Sequence, residues 1–480
     1  MKNYYFIMIS LFMAAFNSLY AQNPIAGHWE GTLQISAMKL NITVNFEDKT
    51  DSLKGTIDIL QQNAIGLELS NIKFENPKVH FELANAAMPS RLAKFDGQLK
   101  DSLIEGEFQQ LTYKGTFSLK KTALVKTKEE PVPYKQEDIT YKNGNITFAG
   151  TLTIPPSEGK HPAVVLITGS GAQNRDEEIF GFKPFKIIAD RLTRKGFAVL
   201  RVDDRGVGGS SGGGTNPTTE DFAEDIKAGV DFLKTRHEIN PSQIGLCGHS
   251  EGGVIAPMLA SQYKDIAFIV LISGTGVPGD SVILSQLQAI LKASGMGNEE
   301  IEKKLTLQRQ ILSAVKSGQG WDAVKARWRQ DFEDYFSKMS DEQKKQIPDK
   351  EAYIKQTIEG QLAQLQSRWY KFFVEYNPAV ALEKVKCPVL MFFGGKDLQV
   401  IESVNKDAMV KALENGGNKN FTVKEFPDAN HLYQKANTGA PSEYFTLKKE
   451  FVPGFLDTMT DWLKKLFPEV SEVNSKEIKK

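Results

Sequence analysis

Cysteine is nearly absent from this sequence, which has only two cysteines in 480 residues. Two thiols can build neither a disulfide framework nor a cysteine-based zinc site, and Cys247 and Cys387 each border an apolar run typical of a buried strand. No sign of charge is in excess, because lysine plus arginine and aspartate plus glutamate both number 59. This balance excludes binding to nucleic acid or anionic lipid through bulk charge.

Long apolar runs are also missing after the N-terminus, so no membrane-spanning helix of about 18 or more apolar residues is predicted there. The first residues combine Lys2, an apolar stretch over residues 6–16 and a small-residue site at Ala21-Gln22. This pattern is typical of a signal peptide, which we assign to residues 1–21. We expect an exported protein, periplasmic or secreted, with no stable membrane anchor after cleavage; an uncleaved anchor is the alternative.

Residues 22–121 alternate apolar and polar side chains in short runs separated by turn residues, as in 29–35 and 40–46. A period of two predicts antiparallel strands with one wet face, and seven or eight of them predict a small all-β barrel or sandwich. Such a module could bind a ligand, cover the active site of its neighbour or aid assembly. Residues 122–137, charged and with two prolines, are predicted to be a linker.

From residue 138 to 467, apolar strand-like runs alternate with helical patterns, which predicts a mostly parallel sheet with helices on both faces. Residues 278–385 interrupt this alternation with helical periodicity and many charges, so we expect a helical cap inserted between two strands. A charged tail follows at 468–480.

A G-x-S-x-G motif directly follows one predicted strand, with Gly248, Ser250 and Gly252 as its fixed positions. In a strand–turn–helix context the two glycines let the chain turn sharply and lift the serine hydroxyl above the sheet. Ser250 is therefore the predicted nucleophile, activated by a base that accepts its proton.

The base can be found by elimination because the sequence has only six histidines. His431 alone follows a predicted strand at the carboxyl end of the sheet, where a loop can reach Ser250. The other five are predicted to lie in the β module, at the opposite end of the sheet, or beside the serine with the ring pointing elsewhere: His28, His80, His161, His237 and His249.

An acid must orient that base, and Asp397 follows the predicted strand 389–393 at its carboxyl end. The order Ser250, Asp397, His431 is the order of α/β-hydrolases. Asp428 and Glu402 remain alternative acids.

Two backbone N–H groups should form an oxyanion hole, one from Glu251 and one from the glycine-rich loop 169–176. Ser170 is the first candidate in that loop and Gly171, which also borders the substrate, is the second. The aromatic residues Trp369, Phe372 and Phe373 are candidates for a substrate pocket in the cap, with ordinary helix packing as the alternative.

Four segments carry a resemblance to a known family, and they cover the predicted catalytic domain from about 138 to 467. They are the loop GSGAQNRD at 169–176, the turn DDRGVGGS at 203–210, the elbow GHSEGG at 248–253, and GGKDLQV at 394–400 together with Asn430-His431-Leu432. The sequence resembles the secreted bacterial α/β-hydrolase esterases, which are related to dienelactone hydrolases and prolyl-oligopeptidase-like enzymes. It departs from them at Thr168, where that family usually has a histidine that buttresses the oxyanion loop.

The resemblance implies an α/β-hydrolase fold with a helical cap and a separate small all-β N-terminal domain. It also implies a serine esterase that cleaves small acyl esters through an acyl-enzyme. A serine peptidase of the prolyl-oligopeptidase-like type and a non-enzymatic exported binding protein are the alternatives. No metal or other cofactor is expected, the partner is a small ester, and we expect Asp204 and Arg205 to fix their loop by an ion pair.

Overall fold

The computed structural model describes residues 23–35, 38–49, 52–59, 64–83, 93–110, 113–122, 131–341, 344, 347 and 349–470. The predicted signal peptide, residues 123–130 of the predicted linker and residues 471–480 of the predicted tail lie outside this range. The chain divides into two compact units between residues 127 and 128.

The first unit is a closed antiparallel barrel of eight strands, in which each strand pairs with the next and β8 returns to β1. The alternating pattern places one face of each strand inside, where phenylalanine side chains such as Phe81 and Phe95 stack at 4.6 Å between ring centroids. Apolar side chains fill the interior. The strands are β1 Gly27–Ile35, β2 Met38–Lys49, β3 Ser52–Ile59, β4 Ala64–Glu75, β5 Lys78–Leu83, β6 Ala93–Lys100, β7 Leu103–Gln110 and β8 Tyr113–Thr122.

The second unit is built on an eight-stranded sheet with the order β16-β15-β14-β13-β11-β12-β10-β9. The strands from β11 to β16 run parallel, while β9 and β10 form an antiparallel hairpin at one edge. The strands are β9 Lys135–Asn143, β10 Ile146–Ile154, β11 His161–Ile167, β12 Ala198–Val202, β13 Ile239–His249, β14 Ile269–Ile272, β15 Val389–Gly394 and β16 Phe421–Phe426.

Helices cover both faces of this sheet, which explains why its central strands read as continuous apolar runs. Side chains of α2, α3 and α10 pack on one face and those of α1 and α11 on the other. These helices are α1 Pro184–Arg194, α2 Thr219–Lys234, α3 Gly252–Gln262, α10 Glu402–Asn415 and α11 Phe455–Leu466. This is the α/β-hydrolase fold that the sequence predicts.

The insertion between β14 and β15 is helical and has its own apolar cluster, which includes Leu312, Trp328 and Ile354. Its helices are α4 Gly279–Ala293, α5 Asn298–Ser317, α6 Trp321–Ser337, α7 Lys350–Leu365, α8 Arg368–Glu375 and α9 Ala379–Leu382. In the part of the chain that the structure describes, no helix combines the length and apolar character needed to cross a membrane.

The predicted linker is too long at both ends. Thr122 is the last residue of β8, and β9 already begins at Lys135. The charged side chains that suggested a linker belong here to an edge strand, which Glu137 anchors by accepting two hydrogen bonds from Arg236, at 2.9 and 2.8 Å.

Candidate active site

Ser250 occupies a sharp corner between β13 and α3. Its φ of +52° lies in the left-handed region, which a residue with a side chain rarely adopts. The corner requires glycine on both sides, because a Cβ on Gly248 would lie 1.9 Å from the Gly252 carbonyl oxygen. A Cβ on Gly252 would in turn lie 2.2 Å from the carbonyl oxygen of Ile167. The packing therefore fixes the G-x-S-x-G pattern.

Asp397 and His431 form a buried pair at the carboxyl ends of β15 and β16. The distance from His431 Nδ1 to Asp397 Oδ2 is 2.8 Å. The carboxylate also accepts hydrogen bonds from the Gln399 and Val400 amides at 2.8 and 2.9 Å and from the Ser273 hydroxyl at 2.7 Å. An acceptor-only carboxylate places the proton on Nδ1 and leaves Nε2 as the basic nitrogen.

The charge state of Asp397 follows from two opposing effects. Burial alone would raise its pKa, but the charge of His431 and the hydrogen bonds to the carboxylate outweigh burial. The net result is a pKa below the ordinary value of 3.8. Asp397 is therefore ionised at neutral pH and holds the His431 ring through Nδ1.

Ser250 and His431 both line a cleft of about 330 Å³ under the cap. Among the described residues, no hydrogen bond joins the Ser250 hydroxyl to the ring of His431. Such contacts are often long in unliganded hydrolases and tighten when substrate binds.

The two predicted oxyanion donors also line this cleft. Within the described ranges, the backbone N–H groups of Ser170 and Glu251 have no hydrogen-bond acceptor. Gly171, with a φ of +100°, instead borders a separate small cavity behind the loop.

Asp204 holds this oxyanion loop at both ends. One carboxylate oxygen accepts a hydrogen bond from the Thr168 hydroxyl at 2.8 Å, and the other accepts one from the Gln173 amide at 2.9 Å. The expected ion pair between Asp204 and Arg205 is wrong, because Arg205 binds Asp225. No cation among the described residues lies beside Asp204, and burial raises its pKa to about 8.

Trp369 and Phe373 line the cleft from α8, with their rings stacked at 5.5 Å. Trp369 Nε1 also donates a hydrogen bond of 2.8 Å to Glu251 Oε1, which joins the cap to the serine corner. The Glu251 carboxyl is buried, which raises its pKa. The prediction for Phe372 is wrong: its side chain packs against the sheet core and stacks on Tyr376.

Sequence reasoning missed a second buried pair beneath the site. Glu177 Oε1 lies 2.8 Å from Nδ1 of His249, and the other ring nitrogen lies 2.9 Å from the His431 carbonyl oxygen. The His249 ring nitrogens contact Glu177 and the His431 carbonyl. Glu177 carries no pattern that distinguishes it from the acids on either side of it. Only the fold brings these residues together.

The fold and the arrangement of this site are those of the α/β-hydrolase class. The sequence profile of the family described as serine aminopeptidase S33 matches residues 183–434, more than half of the chain. The chain belongs to this family. It is similar to esterase EstD of Thermotoga maritima, with 29% identity over 318 residues, which are 66% of this chain and 65% of EstD. The match thus spans slightly less than two thirds of EstD.

Solved structures with a similar arrangement include a Pyrococcus furiosus esterase. It has a TM-score of 0.42 and 15% identity, covering 70% of this chain and 92% of that one. A dienelactone hydrolase from Anabaena variabilis has a TM-score of 0.36 and 15% identity, covering 70% of this chain and 99% of that one.

Proposed function

We propose that this protein is a carboxylesterase that cleaves small, uncharged acyl esters through an acyl-enzyme. Ser250 attacks the ester carbonyl while His431 accepts its proton and later passes it to the leaving alcohol. Asp397 keeps the imidazole in the required tautomer, and water then hydrolyses the acyl-enzyme with His431 again as the base.

The observation that carries the proposal is the buried Asp397–His431 pair facing the same cleft as Ser250 at its strained corner. The amides of Glu251 and Ser170 provide two donors without acceptors where negative charge would develop on the carbonyl oxygen. Donors that are already oriented lower the energy of the tetrahedral intermediate without reorganisation. The positive end of α3 lies beneath the same point.

The lining of the cleft supports an ester over a peptide. It includes Trp369, Phe373, Val282, Val400 and several glutamines, but among the described residues no lysine or arginine that would bind a carboxylate. An aminopeptidase needs a carboxylate for the substrate ammonium group, and the two in this cleft are engaged internally. Glu177 accepts hydrogen bonds from Gly169 and His249, and Glu251 from Thr219 and Trp369.

Two assays test the proposal. A fluorophosphonate should label wild-type protein stoichiometrically and leave Ser250→Ala unlabelled; absence of labelling would favour the non-enzymatic alternative. A panel of p-nitrophenyl acyl esters should be turned over, whereas aminoacyl p-nitroanilides should not. The opposite preference would establish the peptidase alternative.

Export remains part of the proposal. We expect mature protein recovered from its natural source to begin at Gln22, which N-terminal sequencing would test. Recovery of intact Met1 would favour the uncleaved anchor.

A further inference from the structure

His249 lies beside the predicted nucleophile but has its own set of partners. Its ring is 4.6 Å from the ring of His431, measured between centroids, and both of its nitrogens are engaged. Nδ1 is 2.8 Å from Glu177 Oε1, and Nε2 is 2.9 Å from the backbone oxygen of His431. The side chains of His249 and Glu177 are 6% and 2% exposed, so water does not replace these partners.

The chemistry of these two partners fixes the protonation of the ring. A backbone carbonyl can only accept a hydrogen bond, so Nε2 must carry a proton. Glu177 Oε1 accepts a hydrogen bond from the Gly169 amide at 2.7 Å, and a carboxylate oxygen can accept a second one from Nδ1. With Glu177 as a carboxylate, both ring nitrogens would donate, and His249 would be an imidazolium paired with it.

The surroundings of the ring are consistent with this assignment. Apolar side chains pack around it from α1, β14 and α11, including Phe185, Ile272 and Phe455. The ionisable groups that face it are Glu177, His431, Asp397 and Tyr433. Burial alone would lower the pKa of His249, but Glu177 and the carbonyl of His431 outweigh burial and raise it.

These hydrogen bonds join the three segments that the reaction needs. Gly169 precedes the oxyanion donor Ser170, His249 precedes Ser250, and the carbonyl belongs to His431 itself. We propose that Glu177 and His249 are a positioning pair that holds the oxyanion loop and the base in register with Ser250. This inference rests on the proposed function, because the positions of these groups affect a reaction rate only if they react with a substrate.

The test compares Glu177→Gln with the double variant Glu177→Gln/His249→Phe. The glutamine oxygen can still accept from the Gly169 amide, but the negative charge is lost, so a neutral His249 ring keeps a proton on only one of its two nitrogens and gives up one hydrogen bond. The phenylalanine then removes the remaining hydrogen bond of the ring without leaving a buried charge unpaired. We expect kcat for an ester to fall about threefold in the single variant and about 10- to 100-fold in the double variant, with little change in KM.

Rates are divided by the concentration of active sites titrated with fluorophosphonate. A variant that is partly unfolded is therefore not mistaken for one whose catalytic groups are misplaced. His161→Asn is the matched control, since His161 is also buried and its Nε2 contacts a backbone carbonyl, that of Ser157, at 3.1 Å. It should keep wild-type kcat. A double variant with the same kcat as Glu177→Gln would overturn the proposal.

A spectroscopic measurement needs no variant that folds poorly and no substrate. Selective ¹⁵N-histidine labelling of a protein with six histidines allows each ring to be resolved. At pH 8, where an ordinary histidine is neutral, one ring should show both nitrogens protonated. The Glu177→Gln spectrum, in which this state should disappear, assigns it. If no ring is doubly protonated in the wild type, the ion pair is wrong.

The two proposals fail in different ways. If wild-type protein neither hydrolyses esters nor reacts with fluorophosphonate, the proposed function fails whatever the NMR spectrum shows. If wild-type protein is active but the double variant matches Glu177→Gln, the function stands and the positioning pair does not.

Discussion

Substituting Asp204 by asparagine should stabilise the protein, and the gain should depend on pH. The carboxyl is buried, and in the part of the chain that the structure describes no cation pairs with it, because Arg175 binds Asp203 and Arg205 binds Asp225. Asparagine has the same shape, accepts from the Gln173 amide and donates to the Thr168 hydroxyl. It therefore keeps the hydrogen bonds and removes a group that burial disfavours when it is charged.

The size of the effect follows from the pKa of Asp204, which burial raises from 3.8 to about 8. Between these pH values the folded state binds a proton at Asp204 that the unfolded state does not. The free energy of unfolding of the wild type therefore falls as pH rises through this window, whereas that of the asparagine variant does not change for this reason. At about 1.4 kcal/mol for each tenfold change in proton affinity, the ceiling is roughly 6 kcal/mol above pH 8. We expect the variant to gain about 2–4 kcal/mol in free energy of unfolding at pH 8.5. The gain stays below the ceiling because a loop that moves toward water lowers the cost of burying the charged carboxylate.

The assay is denaturant unfolding at pH 5, 7 and 8.5, followed by tryptophan fluorescence, since every tryptophan except Trp29 lies in the catalytic unit. Asp203→Asn is the matched control. Asp203 accepts hydrogen bonds from Arg175 at 3.1 and 2.7 Å. Removing the charge of Asp203 should therefore lower the free energy of unfolding by about 3 kcal/mol at pH 7. A gain for Asp204→Asn that is equal at all three pH values would refute the reasoning.

Further expectations concern the reaction and the cleft. Ser250→Ala and His431→Ala should each lower kcat for a p-nitrophenyl ester by several orders of magnitude, and Asp397→Asn should lower it by roughly 10⁴-fold. Near-full activity in Asp397→Asn would show that another acid orients the base. Phe373→Ala should raise KM for esters with apolar acyl groups and change the acyl-chain profile. Phe372→Ala, one position earlier, should keep that profile but lower the free energy of unfolding by about 2 kcal/mol. An altered profile in both variants would contradict the different placement of the two rings.

The candidate catalytic residues could be selected from the sequence because the decisive residue types are rare or occur in a motif that the backbone requires. Ser250 could be found because only glycine fits on either side of its corner. His431 could be found because there are just six histidines, and their positions along the chain leave only this one in a loop at the carboxyl end of the sheet. The overall fold was predictable for a similar reason, since a buried parallel strand and a half-buried barrel strand have different apolar periods.

Elimination does not work for carboxylates, of which the sequence has 59. Glu177 and Asp204 acquire their roles only through contacts across 72 and 36 residues of sequence, with His249 and Thr168. The prediction for Phe372 is wrong for another reason. Adjacent residues on a helix point in directions about 100° apart. The aromatic side chains of α8 therefore divide between the cleft and the sheet core. Only the tertiary packing of α8 decides which ring faces the cleft and which faces the core.

The departure at Thr168 shows how such contacts change the meaning of a motif. In the family that the sequence resembles, a histidine at this position buttresses the oxyanion loop; here Thr168 donates to Asp204, which also accepts from Gln173 beyond the loop. Glu177 binds the Gly169 amide between them. Two buried carboxyls thus fix the loop at three points around Ser170. Because three anchors remain when one side chain is shortened, a threonine here is compatible with an oriented oxyanion donor, and the loss of the histidine does not by itself indicate an inactive site.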